Sequence, residues 1–199
     1  LNLFLEFYFL FNHSNKILQK SLYVILLVLF IVLYWHIIKK RDEIFQNMKQ
    51  IYGFIITISA IFILVLPFMS SDIFYYMGIG RLSSTYKQNP YYMDMKTFVN
   101  DSNIDILNDT VMQKGYNGYW SGTTVIYGAF WTFICSVMSF LSFGNVNIGL
   151  LIFKLLNALL HFANCYLLYK ISKKKIFPLL YGINPFILIE GIRSEEHTS

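Results

Sequence analysis

Four long apolar segments, residues 22–38, 52–69, 148–169 and 176–192, are separated by polar stretches of unequal length along this chain. Each is almost free of charge. Each is also about long enough to cross a ~30 Å hydrocarbon core as an α-helix. Between the second and third lies a polar stretch of roughly fifty residues, Ser70 to Gly122, followed by a further apolar run, TTVIYGAFWTFICSVMSFLSF at residues 123–143. The pattern predicts an all-α fold, a polytopic transmembrane helical bundle with a long first outer loop at 70–147. The apolar stretch 1–11 is too short to span and lacks the basic start and cleavage site of a signal peptide, so it reads as the remnant of an earlier helix. RSEEHTS, residues 193–199, ends the last apolar run abruptly. A common sequencing-adapter read encodes those seven residues in frame, and they are set aside as an expected artefact.

The positions of the cations orient the spans, because Lys and Arg in short loops stay on the cytoplasmic side. Lys39, Lys40, Arg41 and Lys49 follow the first span, and Lys170, Lys173, Lys174 and Lys175 follow the third. An even number of crossings must separate two clusters on one side. Residues 123–143 are therefore expected to lie along the outer interface, where Tyr127, Trp131 and the phenylalanines among Thr and Ser suit an interfacial helix. An ordinary span that breaks the charge rule is the alternative. On this topology Asp72 emerges on the extracytoplasmic face.

Composition agrees with a lipid solvent: of 199 residues 56% are hydrophobic, 19% aromatic and 14% charged, and the mean hydropathy is +0.50. The net charge of +5 is accounted for by the inner loops and calls for no nucleic-acid partner. Cys135 and Cys165 stand alone in apolar runs without metal-ligand spacing, and read as packing residues.

An acidic residue closing an apolar helix (Asp72), then Tyr75-Tyr76, Arg81, Asn89-Pro90-Tyr91, Tyr127-Gly128 with Trp131, and Asn184-Pro185 with Glu190, form an ordered series. This series resembles the membrane glycosyltransferases of the GT-C fold, nearest to the bacterial polyprenyl-phosphate-mannose-dependent mannosyltransferases. The resemblance covers roughly residues 52–192 and departs from the family pattern at Ala129, where proline is usual. It implies the N-terminal part of a longer multi-pass enzyme of the cell membrane, inactive as this piece alone. The implied reaction moves a sugar, mannose in the nearest group, from a polyprenyl-phosphate carrier to an extracytoplasmic glycan or glycolipid acceptor. The partners are then membrane lipid and the lipid-linked sugar. A transporter or channel subunit is the competing class, and a polar stripe in the third span speaks for it.

Sugar transfer from a lipid phosphate needs a base for the acceptor hydroxyl. The resemblance implies that Asp72 is that base and Tyr76 a substrate contact; a helix terminus at the headgroup level is the other reading of Asp72. Arg81 is a candidate for the donor phosphate, with an interfacial anchor as the equal alternative. Lys154 sits inside an apolar segment, and Asn157, His161 and Asn164 follow it at spacings that trace one helical stripe. Lys154 is thus a second phosphate candidate or a snorkelling cation, while His161 and the asparagines suit hydrogen bonds between helices. Asn184-Pro185 is expected to break or kink its helix, with Glu190 as an acceptor-side contact near the outer end. DSNIDILND, residues 101–109, reads as a solvated, capped helix segment. No Asp-x-Asp spacing occurs, which favours a lipid-phosphate donor over a nucleotide sugar. No cofactor or metal ligand is implied, and the need for a divalent metal is not readable.

Overall fold

The computed structural model describes residues 16–64, 72–102 and 106–190. Among the described residues every regular element is a helix: α1 Lys16–Lys39, α2 Arg41–Ile44, α3 Met48–Leu64, α4 Asp72–Ser84, α5 Met95–Ser102, α6 Thr110–Tyr116, α7 Ala129–Leu141, α8 Val146–Ser172, α9 Ile176–Gly182 and α10 Pro185–Glu190. The sequence places the helix starts. Asn47 accepts from Gln50 N at 3.1 Å ahead of α3, Asp109 from Met112 N at 2.9 Å ahead of α6, and Asn145 from Asn147 N at 2.9 Å ahead of α8. Each short polar side chain satisfies an amide that the first helical turn leaves without a partner.

Among the described residues α8, at 27 residues, is the one helix long and apolar enough to cross a membrane. Shorter apolar helices cover Val24–Lys39, Met48–Ile63 and Ala129–Leu141. From Val24 to Leu33 most of the apolar side chains of α1 are exposed, Val32 at 59% among them, whereas Ile38 near its end is buried. Segment 123–143 forms a loop followed by the 13 residues of α7, which span about 20 Å at 1.5 Å per residue. Segment 176–192, expected as one span, is divided into α9 and α10. The break falls at Asn184-Pro185, as expected, and its reason is local: Asn184 Oδ1 accepts from Phe186 N at 2.9 Å and caps α10, with Pro185 as its first residue. Residues 1–15, 65–71 and 191–199 lie outside the described residues, as do the expectations made for 1–11 and 193–199.

Two cores organise the chain. In the first, α3 runs antiparallel to α8. Ile51 and Ile55 of α3 pack with Cys165 of α8, Leu179 of α9, Ile183, and Ile38 and Phe45 from the α1–α2 region. The basic loops meet at one end of this pair, where Lys175 Nζ donates to Gln46 O at 2.7 Å. The second core gathers Tyr75, Met77, Ile79 and Leu82 of α4 with Met95, Val111, Met112 and Cys135, and reaches Leu150 and Phe153 in the first turns of α8. It therefore lies at the α8 end opposite to the lysines. Within it α4 and α7 touch along a seam of small residues, where Ser139 Oγ donates to Met77 O at 2.8 Å and Gly80 abuts the Cys135 carbonyl.

Candidate active site

Asp72 is the first residue of α4, where the partial positive charge of the helix N-terminus favours a carboxylate. Trp120 Nε1 donates to its Oδ1 at 3.0 Å. One turn further, Tyr76 lies on the same face as Asp72. Its hydroxyl donates to the Tyr127 hydroxyl at 3.1 Å, and its ring stands edge-on to Tyr127 and Trp131, each centroid 5.4 Å away. Burial, then Tyr127 and Asp72, push the Tyr76 phenol above its ordinary value, so it stays a protonated donor. Tyr75 turns away and donates to Thr124 O at 3.2 Å.

The two loop motifs that accompany Asp72 in the sequence arrive at the same place. Asn89-Pro90-Tyr91 forms a turn in which Asn89 Oδ1 accepts from Tyr91 N at 3.0 Å. From that turn the Tyr91 hydroxyl donates to Tyr127 O at 2.9 Å and meets Thr132 Oγ1 at 3.0 Å. Val125 N donates to Pro90 O at 2.9 Å, completing the join. Tyr76, Tyr91, Tyr127 and Trp131, separate in sequence, thus form one aromatic wall beside the α4 N-terminus. A carboxylate next to aromatic faces and hydroxyls is chemistry suited to a polyhydroxylated ring, with the rings covering its C–H faces and the carboxylate accepting from its hydroxyls.

Arg81 does not join this wall. It lies nine residues along α4 from Asp72, about 13 Å by helix rise. Its Nε pairs with Asp109 Oδ2 at 2.6 Å, the two side chains being 14% and 9% exposed. Tyr86 donates to the same oxygen at 3.0 Å. Burial and the neighbouring Asp109 charge push Tyr86 up to about 12. The DSNIDILND segment is therefore not uniformly solvated: Asp101 is exposed, whereas Asp109 is buried because it answers Arg81 and caps α6 together. Residues 103–105, and with them Asp105, lie outside the described residues.

Lys154 belongs to a different place. It is buried, its Nζ donates to Ile63 O at 3.3 Å, and it lines a cavity of about 390 Å³ between α3, α8 and the α9–α10 pair. Asn157, His161 and Asn164 line the same cavity, so the stripe read from spacing faces one interior space. Two of its members bridge to α9, His161 Nε2 to Gly182 O at 3.0 Å and Asn164 Nδ2 to the Tyr181 hydroxyl at 2.9 Å. None of Asp72, Tyr76 and Arg81 lines this cavity. The Glu190 side chain lies outside the described residues, although its backbone closes α10.

Trp120 reads from the sequence only as one of several loop aromatics that stack on sugar or anchor at the headgroups, and its contact with Asp72 is not legible there. Its segment, YNGYWSG, shows an aromatic pair between glycines, a signal of a turn that presents rings, but the partner lies 48 residues upstream. Among the described residues no group of three or more His, Cys, Asp or Glu side chains converges as metal ligands.

The sequence profile of alpha-(1->6)-mannopyranosyltransferase, N-terminal domain, matches residues 5–194, nearly the whole chain. No curated protein and no solved structure gives a match.

Proposed function

The chain belongs to the alpha-(1->6)-mannopyranosyltransferase family, and we propose that it takes mannose from a polyprenyl-phosphate carrier and passes it to a glycan or glycolipid acceptor on the extracytoplasmic face, with Asp72 as the base. Family membership makes it a mannosyltransferase related to the GT-C enzymes and associated with the membrane; the donor, the side of the membrane and the residue roles are our reading. It also sets aside the transporter alternative that the polar stripe favoured.

The observation that carries the role of Asp72 is its place at the head of α4, oriented by Trp120 and flanked by the Tyr76, Tyr127 and Trp131 wall. In the reaction an acceptor hydroxyl gives its proton to the Asp72 carboxylate as its oxygen forms a bond to the anomeric carbon of mannose. The bond from that carbon to the phosphate oxygen breaks, and the carrier leaves with the electron pair as polyprenyl phosphate. Tyr76, kept protonated, donates to Tyr127, whose own hydroxyl proton is then available to a sugar oxygen. Arg81 is already neutralised by Asp109, and Lys154, the other candidate cation, lines a cavity that Asp72 does not line, so we assign it to the phosphate carrier bound in that cavity rather than to the departing oxygen itself. Glu190 is retained as an acceptor-side contact on the strength of the resemblance alone.

Two features support the multi-pass topology. The Lys175 to Gln46 contact joins both basic loops at one end of the α3–α8 pair, as a shared cytoplasmic side requires. On α7 the buried face carries Thr132, Cys135 and Ser139, while Phe130, Phe133 and Phe140 point outward, Phe130 at 77% exposure. That arrangement inverts the amphipathicity of a water-facing helix, and suits one lying on lipid.

The test uses the full-length protein in isolated membranes with polyprenyl-phosphate-mannose as donor. Asp72→Asn should lower transfer by roughly 10²–10⁴-fold, and Lys154→Met should raise the donor KM with turnover less affected. Unchanged transfer in Asp72→Asn rejects the base assignment.

A further inference from the structure

Trp120 reaches Asp72 from a loop that is tied down on all sides. Its carbonyl accepts from Thr123 N at 3.0 Å and from Thr123 Oγ1 at 2.7 Å. The next residue, Ser121, accepts from Lys96 N at 3.0 Å and donates its own amide to Gly118 O at 3.2 Å. Beyond it, Thr124 O accepts from Tyr75 and Val125 N is bound to Pro90 O. Three elements, α4, the start of α5 and the Asn-Pro turn, therefore hold the loop that carries the indole. Tyr119 packs edge-on against Trp120, with ring centroids 4.9 Å apart.

Asp72 begins its helix, and an aspartate side chain has two torsions of its own, so backbone geometry alone leaves its oxygens several orientations. A base must bring one oxygen within hydrogen-bond reach of a hydroxyl whose position the sugar site dictates. An error of about 1 Å there costs on the order of a hundredfold. The indole N–H is a single, directional donor that cannot accept, so it selects which carboxylate oxygen it holds and how the other is presented.

We propose that Trp120 is the positioning residue of the transferase: its N–H fixes the Asp72 carboxylate in the orientation that receives the acceptor proton. The inference rests on the reading of Asp72 as the base. Trp120 acts on turnover through Asp72 and not through substrate binding, which separates it from a ring that stacks on sugar.

Trp120→Phe removes the donor and keeps an aromatic ring in the loop. Assayed in isolated membranes with polyprenyl-phosphate-mannose and a mannose-terminated acceptor, it should lower kcat about tenfold, the scale of a hydrogen bond to a charged group. Both KM values should stay within about twofold, and the thermal unfolding midpoint near that of the parent protein. In an Asp72→Ala background, where residual transfer is followed over long incubations, the same change should cost less than about twofold, because the group it acts through is gone. A tenfold fall in both backgrounds, or a rise in acceptor KM with kcat intact, overturns the positioning role and leaves Asp72 as base. Full transfer in Asp72→Ala instead removes the base itself. The two failures are thus distinguishable.

Discussion

The guanidinium of Arg81 and the carboxylate of Asp109 show what burial does to a charge: each is nearly out of solvent and each would be costly there alone. Paired at 2.6 Å, with Tyr86 as a further donor, they tie α4 to the cap of α6. Arg81→Ala should destabilise the fold by on the order of 3–5 kcal/mol by stranding Asp109, read as a lowered unfolding midpoint in detergent, while the donor KM of the protein that remains folded is unchanged. A raised donor KM without loss of stability would return Arg81 to the phosphate. The sequence offered four carboxylates in one loop, Asp94, Asp101, Asp105 and Asp109, and nothing local distinguishes the one that meets Arg81 from 28 residues away. Asp94 caps α5 instead, accepting from Thr97 N at 2.8 Å.

Helix pairing turns on close approach. The α4–α7 seam admits no side chain at Gly80: a Cβ there would overlap the Cys135 carbonyl oxygen and lie 2.5 Å from its carbon. Backbone cannot swing aside as a side chain does, so Gly80→Ala should force the two helices apart and cost about 1–3 kcal/mol. Because α4 carries Asp72 and α7 follows Tyr127, the same variant should also lower transfer at temperatures where it remains folded. Equal stability and activity would mean that the seam is not held as described. The sequence showed the apolar helices and the stripe on α8, since both are periodic patterns within one element. It also marked the break at Asn184-Pro185, but not that Asn184 caps a new helix there, because hydropathy is continuous across a cap whose effect is purely a matter of hydrogen bonds.

Across the whole molecule the two cores occupy opposite ends of α8, lysines at one and the Asp72 wall at the other. If the membrane lies between them, an impermeant maleimide applied to intact cells should label Tyr92→Cys, which is 85% exposed on the Asp72 side, and reach Lys174→Cys only after permeabilisation. The native thiols give little background: Cys135 and Cys165 are fully buried, and burial pushes Cys135 up to about 12. Labelling of both positions from one side would break the proposed topology. The sequence by itself determined the helical class, the apolar segments, the basic loops, the inward polar stripe and the series of residues that marks the family. These are properties of composition and short-range period, carried by each segment alone. Only the tertiary structure decided that Trp120 holds Asp72, that Asp109 takes Arg81, and that Tyr76, Tyr91 and Tyr127 form one wall apart from the Lys154 cavity. A hydrogen bond or ion pair between distant residues depends on a few tenths of an ångström set by the packing of other elements, and no local pattern of residues encodes that distance.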